Sequence, residues 1–171
     1  MKFSHCVHDQ AASVLPADIK IAVEGAWIGT NPDSGISTNE FIRALKLAMA
    51  PDAMLYLDLD EVRNLFKNGD LALGYGRAPL GDGALVQACH ASIRCESLVG
   101  QSSSESTSGI LIVINAPRIA GVKLSEVRDG LRVILQWASK ASNHLYSTIH
   151  DYDDAGESIE VYLFAVSCDS M

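Results

Sequence analysis

Three acidic side chains lie close together at Asp58, Asp60 and Glu61, in the stretch LYLDLDEVR that runs from Leu55 to Arg63. Carboxylates on a turn can polarise a water molecule when one of them comes within about 3 Å of it. The same pattern before an apolar helical repeat is also typical of a helix start, where a carboxylate accepts hydrogen bonds from free backbone N–H groups. The sequence leaves both interpretations open.

A second candidate is the glycine-rich stretch from Gly74 to Gly83, which contains Arg77. Clustered glycines let backbone N–H groups approach a phosphate, usually at a helix N-terminus. This stretch lies in or just after a predicted strand and lacks the Lys-Ser/Thr of a Walker loop, so we interpret its glycines as strand and turn residues. Arg77 is a candidate contact for a ligand or a partner carboxylate, and a surface salt bridge is the alternative.

The spacing of the potential metal ligands favours no metal site. The four cysteines match neither a zinc ribbon nor a C-x-x-C redox motif, which predicts free thiols in a reducing compartment. The segment HCVHD offers several soft ligands, and we interpret it as part of a terminal tail. The acidic segment DYDDAGE lacks the spacing of an EF-hand and predicts a hairpin turn. These two segments contain the residues His5, Cys6, His8, Asp9, Asp151, Asp153, Asp154 and Glu157.

The composition suits one compact domain that binds neither nucleic acid nor membrane. The chain has 171 residues, 48% of them hydrophobic, and a formal net charge of −8. Such a charge repels phosphate backbones. No apolar run approaches the roughly 20 residues that a membrane span needs, and the N-terminus lacks the apolar core of a signal peptide. These features predict a cytoplasmic protein without a cofactor.

The hydrophobic periodicity alternates between strand and helix patterns. It predicts a helix capped by Thr38 or Asn39, with Phe41, Ile42, Leu45 and Met49 on one face, and a helix capped by Asp58 or Asp60. Further helices are predicted from Ala84 and from Ser125, the latter with an inward stripe of Val127, Leu131, Ile134, Leu135 and Ala138. Strands are predicted at residues 19–28, around the GYG segment, at 109–116, at 144–151 and at 157–167. The fold class is α+β, an α/β two-layer sandwich with a mixed sheet of four or five strands packed by two or three helices. Residues 1–37 form an N-terminal extension with one strand, and residues 38–171 form the main domain.

The order of these segments resembles the FtsZ family of tubulin-like proteins, from near Thr38 to Ser167. The segments LYLDLDEVR, GDLALGYGRAPLGDG, GILIVINA, HLYSTIHD and ESIEVYLFAVS follow the family's C-terminal half in register. The family loop reads N-x-D-x-x-D. Its asparagine falls here at Tyr56, its first aspartate at Asp58 and its second at Glu61. The resemblance implies the fold of the FtsZ C-terminal domain, which is related to the chorismate-mutase-like sheet.

The resemblance also implies a function in assembly. In the family this loop projects into the GTP site of the next filament subunit, so the expected docking residues are Tyr56, Asp58, Asp60, Glu61 and Arg63. The family's GTP-binding loop, close to GGGTGTG, has no counterpart in this sequence. We therefore expect a stand-alone, non-enzymatic bacterial protein with a role in cell division. It would dock on FtsZ-type filaments or on copies of itself as a homo-oligomer.

Two other functions stay open. The first is a small-ligand-binding protein or enzyme with an intersubunit site. Its candidate residues are scattered and include no nucleophile–base pair at a telling spacing. They are Arg77, Arg94, Arg118, His144 and His150. The second is a purely structural homo-oligomer, in which the predicted N-terminal strand pairs across subunits.

Overall fold

The computed structural model describes residues 15–28, 36–50, 53, 55–67, 69–95, 98, 106–117, 121–149 and 156–167. This part of the chain contains five helices and four strands. The helices are α1 (Ala17–Ile28), α2 (Thr38–Ala48), α3 (Leu59–Phe66), α4 (Ala84–Ile93) and α5 (Leu124–Trp137). The strands are β1 (Asp70–Pro79), β2 (Thr107–Asn115), β3 (Asn143–Ile149) and β4 (Ser158–Ser167).

The four strands form one mixed sheet in the order β1-β4-β2-β3. Strand β4 pairs antiparallel with β1 and with β2, while β2 and β3 are parallel. The mixed sheet is therefore confirmed, but the predicted hairpin between the last two strands is wrong, because β2 lies between β3 and β4. Strand β4 is buried along nearly its whole length and takes a central position, whereas β3 carries the exposed Tyr146 and takes an edge.

Helices cover both faces of the sheet. One apolar cluster joins α1, α2 and α3 to one face, and a second joins α4 and α5 to the other. The α+β class is confirmed, with five helices in this part of the chain against the two or three expected, and with three layers instead of two. The additional layer arises because β2 and β4 are apolar on both sides, so each face requires its own cover.

Helix α1 replaces the strand that the alternation of residues 19–28 predicted. Ile19 and Val23 are buried while Ile21, between them, is 66% exposed. A spacing of four residues is one helical turn, so the buried pair fits a helix, whereas a strand would place all three side chains on one face. The helix begins directly after Pro16, a residue that suits a helix start. The hypothesis of a homo-oligomer that pairs through an N-terminal strand therefore finds a helix, not a strand, at residues 17–28.

Helix α2 packs through aromatic contacts on β4. The ring of Phe41 meets Tyr162 and Phe164 edge-on, at centroid distances of 5.4 and 5.5 Å. Leu45, predicted on the same face, is fully buried. The N-cap is Ser37, one residue before the predicted cap positions, and the Glu40 carboxylate completes a capping box by accepting a hydrogen bond from the backbone N–H of Ser37 at 2.6 Å.

The glycines of β1 allow a close approach of α4. A Cβ atom at Gly76 would overlap the carbonyl oxygen of Ala88 and lie 2.6 Å from the nitrogen of Ser92. A Cβ atom at Gly74 would lie 2.5 Å from the carbonyl oxygen of Ser92. The GYG segment is thus part of a strand that packs directly against the backbone of a helix. Its glycines allow this close packing, which agrees with their interpretation as strand residues.

We expect Gly76→Ala to destabilise the fold by about 2 kcal/mol or more, because the added methyl group forces backbone apart where no flexible side chain can yield. Chemical unfolding in urea measures the change. The control is Gly25→Ala in α1, where a Cβ atom meets nothing within 4 Å. That variant should be as stable as the parent or slightly more stable, since alanine is the better helix former. Equal stability of Gly76→Ala and the parent would contradict the close approach.

Candidate functional site

Asp58 caps helix α3. Its Oδ1 accepts hydrogen bonds from the backbone N–H groups of Asp60 at 2.8 Å and Glu61 at 3.3 Å. These two donors have no partner within the helix, so the carboxylate satisfies them and also complements the positive end of the helix dipole. Of the two predicted caps, Asp58 and Asp60, the structure has Asp58, whose Oδ1 is occupied by the protein's own backbone.

The loop before this cap is held at both ends and presents two large side chains outward. The backbone N–H of Leu57 donates to the carbonyl oxygen of Ala48 at 3.0 Å, and Ser147 Oγ on β3 donates to that of Leu55 at 2.6 Å. Leu57 is buried, whereas Leu55 is 40% and Tyr56 56% exposed. Anchoring by α2 and β3 thus holds a neighbouring aliphatic and aromatic pair at the surface.

The charged residues after the cap divide into exposed and paired groups. The Asp60 side chain is 83% exposed, and Glu61 is also exposed. Arg63 forms ion pairs with Asp18 of α1 at 3.0 Å and with Asp60 at 3.6 Å. Its hydrogen bond lowers the pKa of Asp18 below the ordinary value. Of the predicted docking residues, Tyr56, Asp60 and Glu61 face solvent, while Asp58 and Arg63 are engaged within the chain.

Arg77 lies apart from this loop. It is exposed on β1, at the edge of the sheet opposite β3, and its Nε donates to Ser158 Oγ on β4 at 2.7 Å. The structure therefore does not bring Arg77 together with the residues at 55–63. Its suggested contact with a ligand or partner stays a prediction.

A buried carboxylate, Glu160 on β4, is a polar centre that the sequence analysis missed. Its oxygens accept hydrogen bonds from Tyr75 Oη at 2.7 Å, Tyr162 Oη at 3.0 Å and Asn115 Nδ2 at 3.2 Å. Burial, together with the nearby carboxylate, raises the pKa of both tyrosines. The three donors come from β1, β4 and β2, so Glu160 links three strands. The signal was present as a single glutamate inside the apolar strand SIEVYLFAVS.

A groove of about 1050 Å³ runs between α5 and β3. Its apolar lining includes Leu55, Val127, Leu131, Leu135 and Tyr146. The predicted inward stripe of α5 is therefore only partly correct. Ile134 and Ala138 are buried, but Leu135 is 38% exposed because this side of α5 faces the groove.

The remaining candidates are less informative. The described residues include no group of three or more His, Cys, Asp or Glu side chains that could hold a metal ion. The tail residues His5 to Asp9, as well as Arg118 and His150 to Asp154, lie outside the described residues. Cys89 and Cys95 are free thiols, as predicted, and burial raises the pKa of Cys89 to about 12. No described helix has the length and apolar character to cross a bilayer.

Sequence comparison with protein-family models and with curated proteins gives no match. Solved structures do match. FtsZ from M. jannaschii, a point mutant, is 18% identical with a TM-score of 0.63 over 78% of this chain and 40% of its own. CetZ2 from Haloferax volcanii, a GTPγS-bound protofilament, is 15% identical with a TM-score of 0.55 over 78% and 40%. TubZ from Bacillus thuringiensis, in GDP-form protofilaments, is 11% identical with a TM-score of 0.52 over 68% and 30%.

These matches define the class of fold. The chain has the α+β architecture of the tubulin and FtsZ proteins, with the mixed four-stranded sheet of an FtsZ C-terminal-like domain. It spans less than half the length of each of these three structures. The resemblance found in the sequence is thereby confirmed at the level of the fold.

We expect Asp58→Ala to lower the free energy of unfolding by about 1 kcal/mol, because two helix N–H groups lose their acceptor. Asp58→Ser should retain most of the stability, since a serine hydroxyl also caps. Asp60→Asn is the matched control and should cost less than Asp58→Ala, because the exposed Asp60 side chain caps no backbone group and forms an ion pair with Arg63 at 3.6 Å. Urea unfolding of all three variants tests the cap, and an unaltered midpoint for Asp58→Ala would contradict it.

Proposed function

We propose that this domain is a non-enzymatic assembly module that docks, through the loop at residues 55–63, on subunits of FtsZ-type polymers. The observation that carries the proposal is the exposed pair Leu55 and Tyr56, directly before the exposed acidic residues Asp60 and Glu61. An aromatic anchor beside charged residues is the composition of a protein-binding surface.

The anchoring of the loop supports docking energetically. A flexible loop loses conformational entropy when it binds, and this cost reduces affinity. Here the hydrogen bonds of Leu57 to α2 and of Leu55 to β3, with Leu57 packed in the core, restrict the backbone before any partner arrives. Folding therefore already restricts the backbone at Tyr56, so binding through this residue loses less conformational entropy.

The partner is suggested by the structural neighbours and by the loop sequence. CetZ2 and TubZ, which share the fold, are described as protofilaments. The resemblance of the loop to N-x-D-x-x-D implies contact with the nucleotide-binding end of the next subunit. We therefore propose that the loop docks on the nucleotide-binding end of an FtsZ-type subunit in the cytoplasm. A second copy of this chain is the alternative partner.

The residues of the loop favour docking without hydrolysis. Tyr56 stands where the family motif has asparagine, and Glu61 stands where it has the second aspartate. The carboxylate of Asp58 accepts two backbone hydrogen bonds through Oδ1, which gives it a structural role as the cap of α3. We accordingly propose that these residues recognise a neighbouring subunit and that no GTPase activity or cofactor resides in them.

Pelleting of GTP-driven FtsZ polymer, with the FtsZ taken from the same source organism, tests the proposal. We expect a sub-stoichiometric amount of the protein to reduce the pelleted polymer, because one bound molecule blocks one filament end. Tyr56→Ala should relieve this inhibition. Leu80→Ala is the matched control, since Leu80 is also an exposed apolar side chain but directly follows β1, at the edge of the sheet opposite β3.

The other outcomes are also informative. If the protein pellets together with the polymer and Tyr56→Ala abolishes this, the loop is still the docking surface. The assignment of the partner to filament ends is then contradicted. If polymer is unaffected, sedimentation velocity of the protein alone examines self-association. If Tyr56→Ala dissociates a dimer, the docking partner is a second copy of this chain instead of an FtsZ subunit. If the protein neither affects the polymer nor self-associates, the proposal is overturned.

A further inference from the structure

The groove between α5 and β3 differs in charge from the chain as a whole. Among the described residues that line it, those charged at neutral pH are Arg128 and Arg132. The whole chain carries a formal net charge of −8. Two cations at one apolar groove on an otherwise acidic protein favour an anionic occupant.

The two guanidinium groups lie on one side of α5, one helical turn apart. Among the described residues, the acidic group that both contact is Asp129, since Arg128 Nε lies 3.4 Å and Arg132 Nη1 3.8 Å from its Oδ1. Two positive charges against one negative charge leave an excess of one. Both side chains are well exposed, at 69% and 60%, so their remaining N–H groups are accessible to an anion.

Apart from Gln136, Ser139 and Thr148, the remaining lining of the groove is mostly apolar and accessible. Leu124 is 85% exposed, Tyr146 47% and Leu135 38%. These side chains lie on α5 and on the edge strand β3, where the described part of the chain leaves them uncovered. A concave apolar surface with a few polar groups at one place is the usual form of a small-molecule site.

We propose that this groove binds an amphiphilic carboxylate, whose apolar chain lies along α5 and β3 and whose carboxylate pairs with Arg128 and Arg132. A guanidinium matches a carboxylate with two parallel hydrogen bonds, which favours this head group. A nucleotide fits less well, because its base and sugar need many hydrogen-bonding partners and most of the lining is apolar. The groove shares Leu55 with the docking loop but involves neither Tyr56 nor the acidic residues Asp60 and Glu61, so the ligand proposal does not depend on the docking proposal.

Isothermal titration of the full chain with decanoate, below the concentration at which it forms micelles, tests the proposal. We expect saturable binding to one site. The double variant Arg128→Gln/Arg132→Gln should weaken binding about tenfold or more, which corresponds to the loss of one strong charged hydrogen-bonded pair. Arg94→Gln is the matched control, because Arg94 is an exposed arginine on the C-terminal end of α4, outside the groove lining.

Two further ligands separate the roles of the charge and of the chain. Decanol should bind much more weakly than decanoate, and hexanoate should bind more weakly because it covers less apolar surface. Decanol binding as tightly as decanoate, decanoate binding that the double arginine variant leaves unaltered, or no binding at all would overturn the proposal. Tyr56→Ala should bind decanoate like the parent, so failure of docking and failure of ligand binding are distinguishable.

The same chemistry is available from a free fatty acid or from one that resides in a membrane. Flotation with phosphatidylcholine vesicles that contain palmitic acid separates the sources. If the protein removes palmitic acid from the vesicles and stays in solution, it binds the free fatty acid. If the protein floats with the vesicles, it binds the fatty acid within the membrane. In either case the double arginine variant should lose the effect, and persistence of the effect would overturn the proposal.

Discussion

The burial of β2 and β4 on both faces is the constraint on which the other elements depend. Each of these central strands is apolar on both sides, so neither face of the sheet can be left to solvent. Helices α1, α2 and α3 cover one face, and α4 and α5 cover the other. Within this sandwich Glu160 is tolerated because three donors surround its carboxylate, as a buried charge requires.

The same constraint positions the docking loop. The chain must pass from α2 to α3 across the edge of the sheet, and it does so with Leu57 in the core and hydrogen bonds to α2 and β3. Tyr56, directly before the buried Leu57, is left in solvent. The cap at Asp58 starts α3 immediately afterwards, so the acidic residues follow the aromatic one at a fixed distance along the surface.

The groove arises from the way in which α5 packs. Gly130 lets α5 approach α4 closely, since a Cβ atom there would lie 2.9 Å from Leu85 Cγ and 3.1 Å from Cys89 Sγ. Helix α5 is thereby held against α4, and its other flank, with Leu135 and the two arginines, extends beside β3 without a further covering helix among the described residues. An edge strand and a half-covered helix together form the concavity.

Local features were readable from the amino-acid sequence, because a cap or an amphipathic helical repeat depends on residues a few positions apart. The start of α3 at Asp58, the buried face of α2 and most strands belong to this group. The order of the strands, the donors around Glu160 and the groove were not readable, since they join residues far apart in the chain. Helix α1 shows why: Ile19 and Val23 suit both a strand and a helix, and only packing against the sheet, with Ile21 left in solvent, selects the helix.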